Sequence, residues 1–326
     1  MAESLLEIKN LRTTFHTYDG DLRAVDGLDL FIEKGEAVGI VGESGCGKSI
    51  TSLSIMRLIP ASTGVVQADR LHFNGQNLLT LSEQELEKIR GNEISMIFQE
   101  PMTSLNPVFT IGSQISETLW FHQGLKKKEA RRRTIELLTK VGIPGPEKQV
   151  DAYPHQLSGG LRQRAMIAMA LACAPSLLIA DEPTTALDVT IQAQILDLLR
   201  QLQQESGMAI MMITHDLGVV ADLVKRVVVM YAGIVIESAP VNELFMEPLH
   251  PYTKGLMAAI PRLDTDLAWL QVIPGIVPNP LNLPSGCRFH PRCSRHLEQC
   301  RRQEPPLMNL KNRQIRCWLY PGGENH

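Results

Sequence analysis

Residues 42–49, Gly-Glu-Ser-Gly-Cys-Gly-Lys-Ser, set Gly42, Gly47, Lys48 and Ser49 at the spacing G-x-x-x-x-G-K-S, with Glu43, Ser44, Gly45 and Cys46 between. Glycines let a backbone wrap closely round phosphates, so that successive N–H groups point inward. A helix expected over 49–58, with Ser49 and Ile50 in its first turn, offers its positive end to the same anion. Lys48 is then suited to bridge β- and γ-phosphates, and Ser49 to ligate Mg²⁺. The pattern alone fits GTP and other nucleotides as well as ATP. A second chemical signal is the pair Asp181-Glu182, which ends an apolar run over 177–180. Such a run suits a buried strand that delivers acids to its C-terminal edge, where α/β sheets bind ligands. Gln99 and His215 also close short apolar runs, at 95–98 and 209–214.

These residues need a framework. The first 35 residues alternate short apolar runs with polar turns, as an antiparallel β region does. The run 37–41 is a compact strand leading into the phosphate loop. Character is helical over about 110–155, and a further helix is expected over 161–172. Runs at 177–180, 209–214 and 227–231 are continuous and apolar, as expected for strands covered on both faces. Helical stretches at 190–205 and 217–225 separate them. That alternation argues for a parallel α/β core. A helix–turn segment is expected over 244–262. Beyond Pro274 repeated prolines break any long periodicity, and the tail should be rich in loops.

Bulk properties narrow the class. With 326 residues, 44% of them apolar and 21% charged, the chain can build one large domain and a smaller appendage. A net charge of −3 supplies no overall field towards nucleic acid or an anionic membrane. No apolar run approaches the roughly 18 residues a membrane span needs. Residues 1–7 are acidic and lack a signal-peptide core. The expectation is a cytoplasmic chain, with any membrane part supplied by other chains. Four of six cysteines, Cys287, Cys293, Cys300 and Cys317, fall in the tail. In a reducing compartment that clustering favours metal over disulfides. Their spacing leaves zinc and an iron–sulfur cluster equally open.

Between the phosphate loop and the acidic pair lies Leu157-Ser158-Gly159-Gly160-Leu161-Arg162-Gln163-Arg164. With this LSGG-type segment the chain resembles the ATP-binding subunits of ABC transporters. The resemblance implies a P-loop ABC ATPase of α/β class over residues 1–245. Its parts are an antiparallel β subdomain, a RecA-like parallel-sheet core and a helical signature subdomain at about 100–165. It also assigns roles. Asp181 supports the Mg²⁺ shell, and Glu182 polarises the attacking water as general base. Gln99 matches the Q-loop, which touches Mg²⁺ or water and reports nucleotide state to the membrane partner. His215 matches the switch histidine that hydrogen-bonds the γ-phosphate, and Asp188 the D-loop at a dimer seam. Ser158, Gly159 and Gly160 would face the γ-phosphate of ATP bound by the other ATPase subunit. The family's usual next residue is Gln; Leu161 here removes a side chain but not the phosphate-binding backbone. Phe15 is the expected adenine-stacking residue, with Tyr18 as runner-up.

His250-Pro251-Tyr252-Thr253, followed by the cysteines, looks like the C-terminal extension of peptide/nickel importer ATPases, here 246–326. Some members hold a [4Fe–4S] cluster there. The resemblance therefore favours that cluster at Cys287, Cys293, Cys300 and Cys317, with Zn²⁺ the alternative and a structural role. His290 and His296 are possible further ligands or solvated turn residues. Tail arginines such as Arg288 and Arg292 are expected to offset cluster charge or meet a partner subunit. The basic run 126–133 reads as a solvated helix face, or one near anionic headgroups. The implied assembly is this chain, a sister ATPase, two permease subunits and an extracytoplasmic peptide-binding protein, at the cytoplasmic face of the bacterial inner membrane. No nucleic-acid partner is expected. Oligopeptides or dipeptides are the expected cargo; nickel, antimicrobial peptides or glutathione are alternatives that this chain does not read. A non-transport ABC ATPase is the rival class, but the 49–157 interval is too short for long coiled coils, and only one ATPase half is present.

Overall fold

Alternation in the first 35 residues produces the two longest strands. A computed structural model describes residues 4–100, 104–185, 187–259 and 272–320. In it β1 (Ser4–Thr17) and β2 (Gly20–Glu33) are 14 residues each. Leu6, Ile8 and Leu11 of β1 are fully buried. After β3 (Ala37–Val41) and the helix Lys48–Ile55 come three short strands: β4 (Gly64–Gln67), β5 (Arg70–Phe73) and β6 (Gln76–Asn77). β4 and β5 pair antiparallel with β1, with Phe15 opposite Gly64 and Ile8 opposite Leu71, and β6 pairs with β5. The sequence reading did not anticipate β4–β6, nor the helix Glu83–Ile89. That helix is started by a capping box in which Glu85 accepts from the Ser82 N–H at 2.8 Å.

The chain then gives β7 (Ile94–Ile97), β8 (Leu177–Asp181), β9 (Ala209–Thr214), β10 (Arg226–Tyr231), β11 (Ile234–Pro240), β12 (Met308–Leu310) and β13 (Arg313–Ile315). It divides into two compact units. One comprises residues 1–5, 33–36 and 80–213; the other comprises 6–32, 37–79 and 214–326.

In the first unit β7, β8 and β9 run parallel, with Ile97 beside Ala180 and Asp181 beside Ile213. Every residue of these three strands is buried. That is why they read as unbroken apolar runs rather than alternating ones. Helices Ile111–Gln123, Lys127–Lys140, Gly159–Ala170 and Val189–Ser206 belong to this unit. The expected helix at 161–172 starts two residues earlier because Ser158 caps it. Arg131 makes a bidentate pair with Asp151, and Arg132 and Arg133 share Glu136, on an exposed face.

In the second unit β3 lies parallel to β10, which pairs antiparallel with β11. β13 then joins β11, and β12 joins β13. The tail is thus loop-rich but not only loop: its hairpin extends the sheet that carries β3. The helix expected over 217–225 is short, Leu217–Ala221. The segment 244–262 holds the end of one helix, Val241–Met246, and a second, Pro251–Ala258. Its last three residues, 260–262, lie outside the described residues, as do 101–103 after Gln99 and residue 186 before Asp188.

Candidate functional site

The second unit carries the phosphate loop. β3 ends at Val41, and the loop closes on Gly47, the N-cap of the helix Lys48–Ile55. Gly47 has φ 102°, and a Cβ there would lie 2.4 Å from the Ala24 carbonyl oxygen, so only glycine fits. Cys46 is buried and its thiol pKa is raised, first by burial. Lys48 Nζ spans the loop, donating to the carbonyls of Gly42 (2.7 Å) and Glu43 (3.1 Å). Ser49 and Ile50 are half-buried in the first helical turn. His215 is exposed immediately beyond β9, and Asp216 caps the following helix by accepting from the Gly218 N–H at 2.8 Å. Phe15 is half-buried, with its ring against Gly64: a Cβ there would lie 3.0 Å from Phe15 Cδ1. Tyr18 is fully exposed in the β1–β2 turn.

The first unit carries the acids. Asp181 is 4% exposed at the end of β8. Glu182 follows with φ 47°, a left-handed conformation that costs a side-chain-bearing residue about 1–3 kcal/mol. It is held there by its N–H, which donates to the Ile213 carbonyl at 2.8 Å. Its Oε2 accepts from Gln99 Nε2 at 2.9 Å and from Thr185 Oγ1 at 2.8 Å. Gln99 and Glu182, 83 residues apart, are therefore in direct contact.

Ser158 and Asp188 are both helix caps. Ser158 Oγ accepts from the Leu161 N–H at 3.4 Å, and Asp188 Oδ1 from the Ile191 N–H at 2.9 Å. The two helix starts meet, because a Cβ on Gly160 would lie 2.9 Å from Ile191 Cγ2. Gly160 thus serves helix packing as well as leaving backbone N–H groups open to an anion.

The four tail cysteines are free, and each is buried or half-buried. Burial pushes the Cys287 thiol up to about 11, with smaller contributions from the charges of Cys300, Cys317 and Cys293. Cys293 and Cys317 are also raised, first by burial. The thiols therefore lie within electrostatic reach of one another, and such soft donors suit a soft metal. Among the described residues, however, no group of three or more His, Cys, Asp or Glu side chains is arranged to hold a metal ion. The rings of His290 and His296 each donate through Nδ1 to a cysteine carbonyl, that of Cys287 (3.0 Å) and of Cys293 (2.9 Å).

Three tail arginines have acidic partners within the chain. Arg288 pairs with Asp26 (2.5 Å) and Glu304 (3.3 Å), Arg292 with Glu43 (2.7 Å), and Arg313 with Glu237 (2.9 Å). Sequence reasoning missed the engagement of Glu43 by Arg292 and by Tyr252, whose hydroxyl accepts from the Glu43 N–H at 2.9 Å. The only sequence sign was the His-Pro-Tyr-Thr run itself.

A phosphate loop between strand and helix, and an acid pair ending a buried parallel strand, define a P-loop nucleoside triphosphatase. The family described as "ABC transporter" matches residues 25–185, and "Oligopeptide/dipeptide transporter, C-terminal region" matches 236–300. The oligopeptide transport ATP-binding protein AppD of Bacillus subtilis is 55% identical, with 97% of each chain covered. The dipeptide transport ATP-binding protein DppD of Escherichia coli is 51% identical, with 96% of each covered. Among solved structures, a dimeric bacterial ABC transporter cassette superposes with a TM-score of 0.64 at 30% identity, covering 72% of this chain and 98% of that one. The chain belongs to the ABC transporter ATPases, in their oligopeptide/dipeptide branch.

Proposed function

We propose that this chain is the ATP-hydrolysing subunit that energises import of oligopeptides or dipeptides through an ABC transporter. The cargo reading is supported by the relatives' activities and by the match over 236–300. The observation that carries the ATPase reading is the Gln99–Glu182 contact beside buried Asp181. A pure binding module has no need of a carboxylate held by a neighbouring amide at a strand end in left-handed backbone.

In this reading Lys48, Ser49 and the loop N–H groups hold the ATP phosphates. Ser49, Gln99 and Asp181 hold Mg²⁺, which neutralises phosphate charge when bound. Glu182 accepts a proton from the attacking water, Gln99 orients it, and His215 donates to the γ-phosphate. Phe15 stacks on adenine. Ser158, Gly159 and Gly160 meet ATP held by a sister ATPase subunit, with Asp188 at the seam. The ATPase portion is 1–245 and the transporter extension 246–326. No described helix is long and apolar enough to cross a membrane. We therefore assign the membrane path to two permease subunits, fed by an extracytoplasmic peptide-binding protein, with this chain at the inner face of the bacterial membrane.

The decisive substitution is Glu182→Gln. It is expected to leave ATP binding intact while abolishing turnover and peptide uptake in the reconstituted transporter. Wild-type turnover in that variant would remove Glu182 from the role of base.

The cysteines carry a narrower proposal, a structural [4Fe–4S] cluster with zinc as the alternative occupant. Its support is four free thiols of one chemistry in mutual electrostatic reach. Iron and acid-labile sulfide in protein purified without oxygen would favour the cluster. Zinc alone would favour the alternative, and the absence of all three would end the proposal.

A further inference from the structure

One residue of the phosphate loop is gripped at three groups, all within the second compact unit. The Glu43 carbonyl accepts from Lys48 Nζ, and its N–H donates to the Tyr252 hydroxyl. Its carboxylate takes both ends of the Arg292 guanidinium, Nη1 to Oε2 at 2.7 Å and Nη2 to Oε1 at 3.0 Å. The gripping side chains are themselves fixed. Arg292 is 5% exposed, and its Nε donates to the Pro274 carbonyl at 3.0 Å. Tyr252 is fully buried, its ring 4.7 Å from that of Tyr231 and 5.4 Å from that of Phe289. Its N–H donates to His250 Nδ1 at 3.0 Å, and the His250 N–H donates in turn to Glu237 on β11 at 2.9 Å.

We propose that Arg292 and Tyr252 are positioning residues for ATP binding: they latch Glu43, so that the phosphate loop is preset by the C-terminal segment. The inference rests on reading 42–49 as the nucleotide loop. The Lys48 ammonium has three donors and gives two to the carbonyls of Gly42 and Glu43, which leaves one for phosphate. The contacts from Arg292 and Tyr252 use the carboxylate and N–H of Glu43 instead of its carbonyl, so they hold the loop's first turn independently of Lys48. Bidentate guanidinium–carboxylate geometry fixes orientation as well as charge, and lysine does not reproduce it. A preset loop loses less freedom on binding, so the latch acts on affinity rather than on the chemical step.

The test uses the full chain titrated with a fluorescent ATP analogue and Mg²⁺, together with ATP turnover by the assembled transporter. Arg292→Gln is expected to raise the analogue's Kd and the KM for ATP about tenfold, the loss of one charge-assisted contact, with kcat within about twofold of wild type. Tyr252→Phe keeps the ring packing and removes only the acceptor; it is expected to weaken binding several-fold. Combining Glu43→Gln with Arg292→Gln should cost no more than Arg292→Gln alone, and Arg292→Lys should recover only part. If Arg292→Gln does not fold, Tyr252→Phe and Glu43→Gln carry the test. Wild-type affinity in the folded variants, or a fall in kcat with KM unchanged, overturns the latch. Failure of the wild-type chain to bind the analogue overturns the nucleotide reading, and the latch with it.

Discussion

Replacing Glu237 by alanine removes the acceptor of three donors at once. Its carboxylate is wholly buried. It accepts from the N–H groups of Leu249 and His250, at 2.9 Å each, and from Arg313 Nη2 at 2.9 Å. The Arg313 side chain is only 8% exposed. Breaking one side of a buried ion pair costs about 3–5 kcal/mol. Stranding a buried N–H costs about 1–3 kcal/mol more unless water reaches it. Alanine leaves room for water, so the lower end, about 3 kcal/mol, is the expected loss. At about 2 cal/mol/K of unfolding entropy per residue, a chain of 326 residues shifts by about 1.5 °C per kcal/mol, so the expected fall in Tm is about 4 °C. Thermal unfolding followed by circular dichroism reads it. A second variant separates the ion pair from general damage. Replacing Glu237 and Arg313 together by methionine should recover most of the loss, because an apolar pair of similar volume often matches a buried ion pair. A fall in Tm under about 2 °C for Glu237→Ala would show that the network contributes little to stability and refute the reasoning.

Two other perturbations test the neighbouring geometry. Burial pushes the His250 pKa down from 6.5 to about 3. Below pH 6.5 the unfolded chain takes up a proton that the folded chain refuses, so stability is lost as pH falls from 6.5 towards 3, by up to about 1.4 kcal/mol per pH unit. His250→Asn keeps an acceptor at the helix start and does not titrate; its Tm should fall less than that of wild type between pH 6.5 and 5, and parallel profiles would refute the assignment. Gly47→Ala should abolish binding of the fluorescent nucleotide, since the added Cβ meets the Ala24 carbonyl at 2.4 Å and the left-handed backbone costs about 1–3 kcal/mol besides. Unchanged affinity would mean that the loop adopts a different backbone when nucleotide binds.

What was legible in the sequence was what short range dictates. The runs that became β3, β8, β9 and β10 are apolar throughout because both faces are covered, and the glycines, lysine and serine of the loop are fixed by phosphate geometry. The missed strands have other causes. β4, β5 and β6 are two to four residues long and carry polar residues such as Gln67, Arg70 and Gln76, too little for a period-two signal. Asn74-Gly75 between β5 and β6 is nonetheless a strong hairpin signal, with φ 49° and 79°, and could have been read. β11 follows β10 through Ala232-Gly233, also at positive φ, where alanine hides the turn. Contacts such as Arg292–Glu43, 249 residues apart, leave no trace in spacing. The pairing of Arg288, Arg292 and Arg313 could not be read either, because Asp26, Glu43 and Glu237 lie far away in the chain.

The small hairpin β12–β13 has a consequence for the life of the chain before assembly. Without it, β11 would present unsatisfied backbone groups at Ile236, Glu237 and Ser238, an open edge of the kind that recruits foreign strands. β13 occupies that edge, with Glu237 opposite Ile315 and Ser238 opposite Gln314. β12, three residues long and bearing Asn309, then becomes the border. So short a strand offers little for another chain to pair with. The extension thereby closes that edge, and a chain cut before residue 308 is expected to scatter more light on standing than the full chain, even with every residue of its phosphate loop intact.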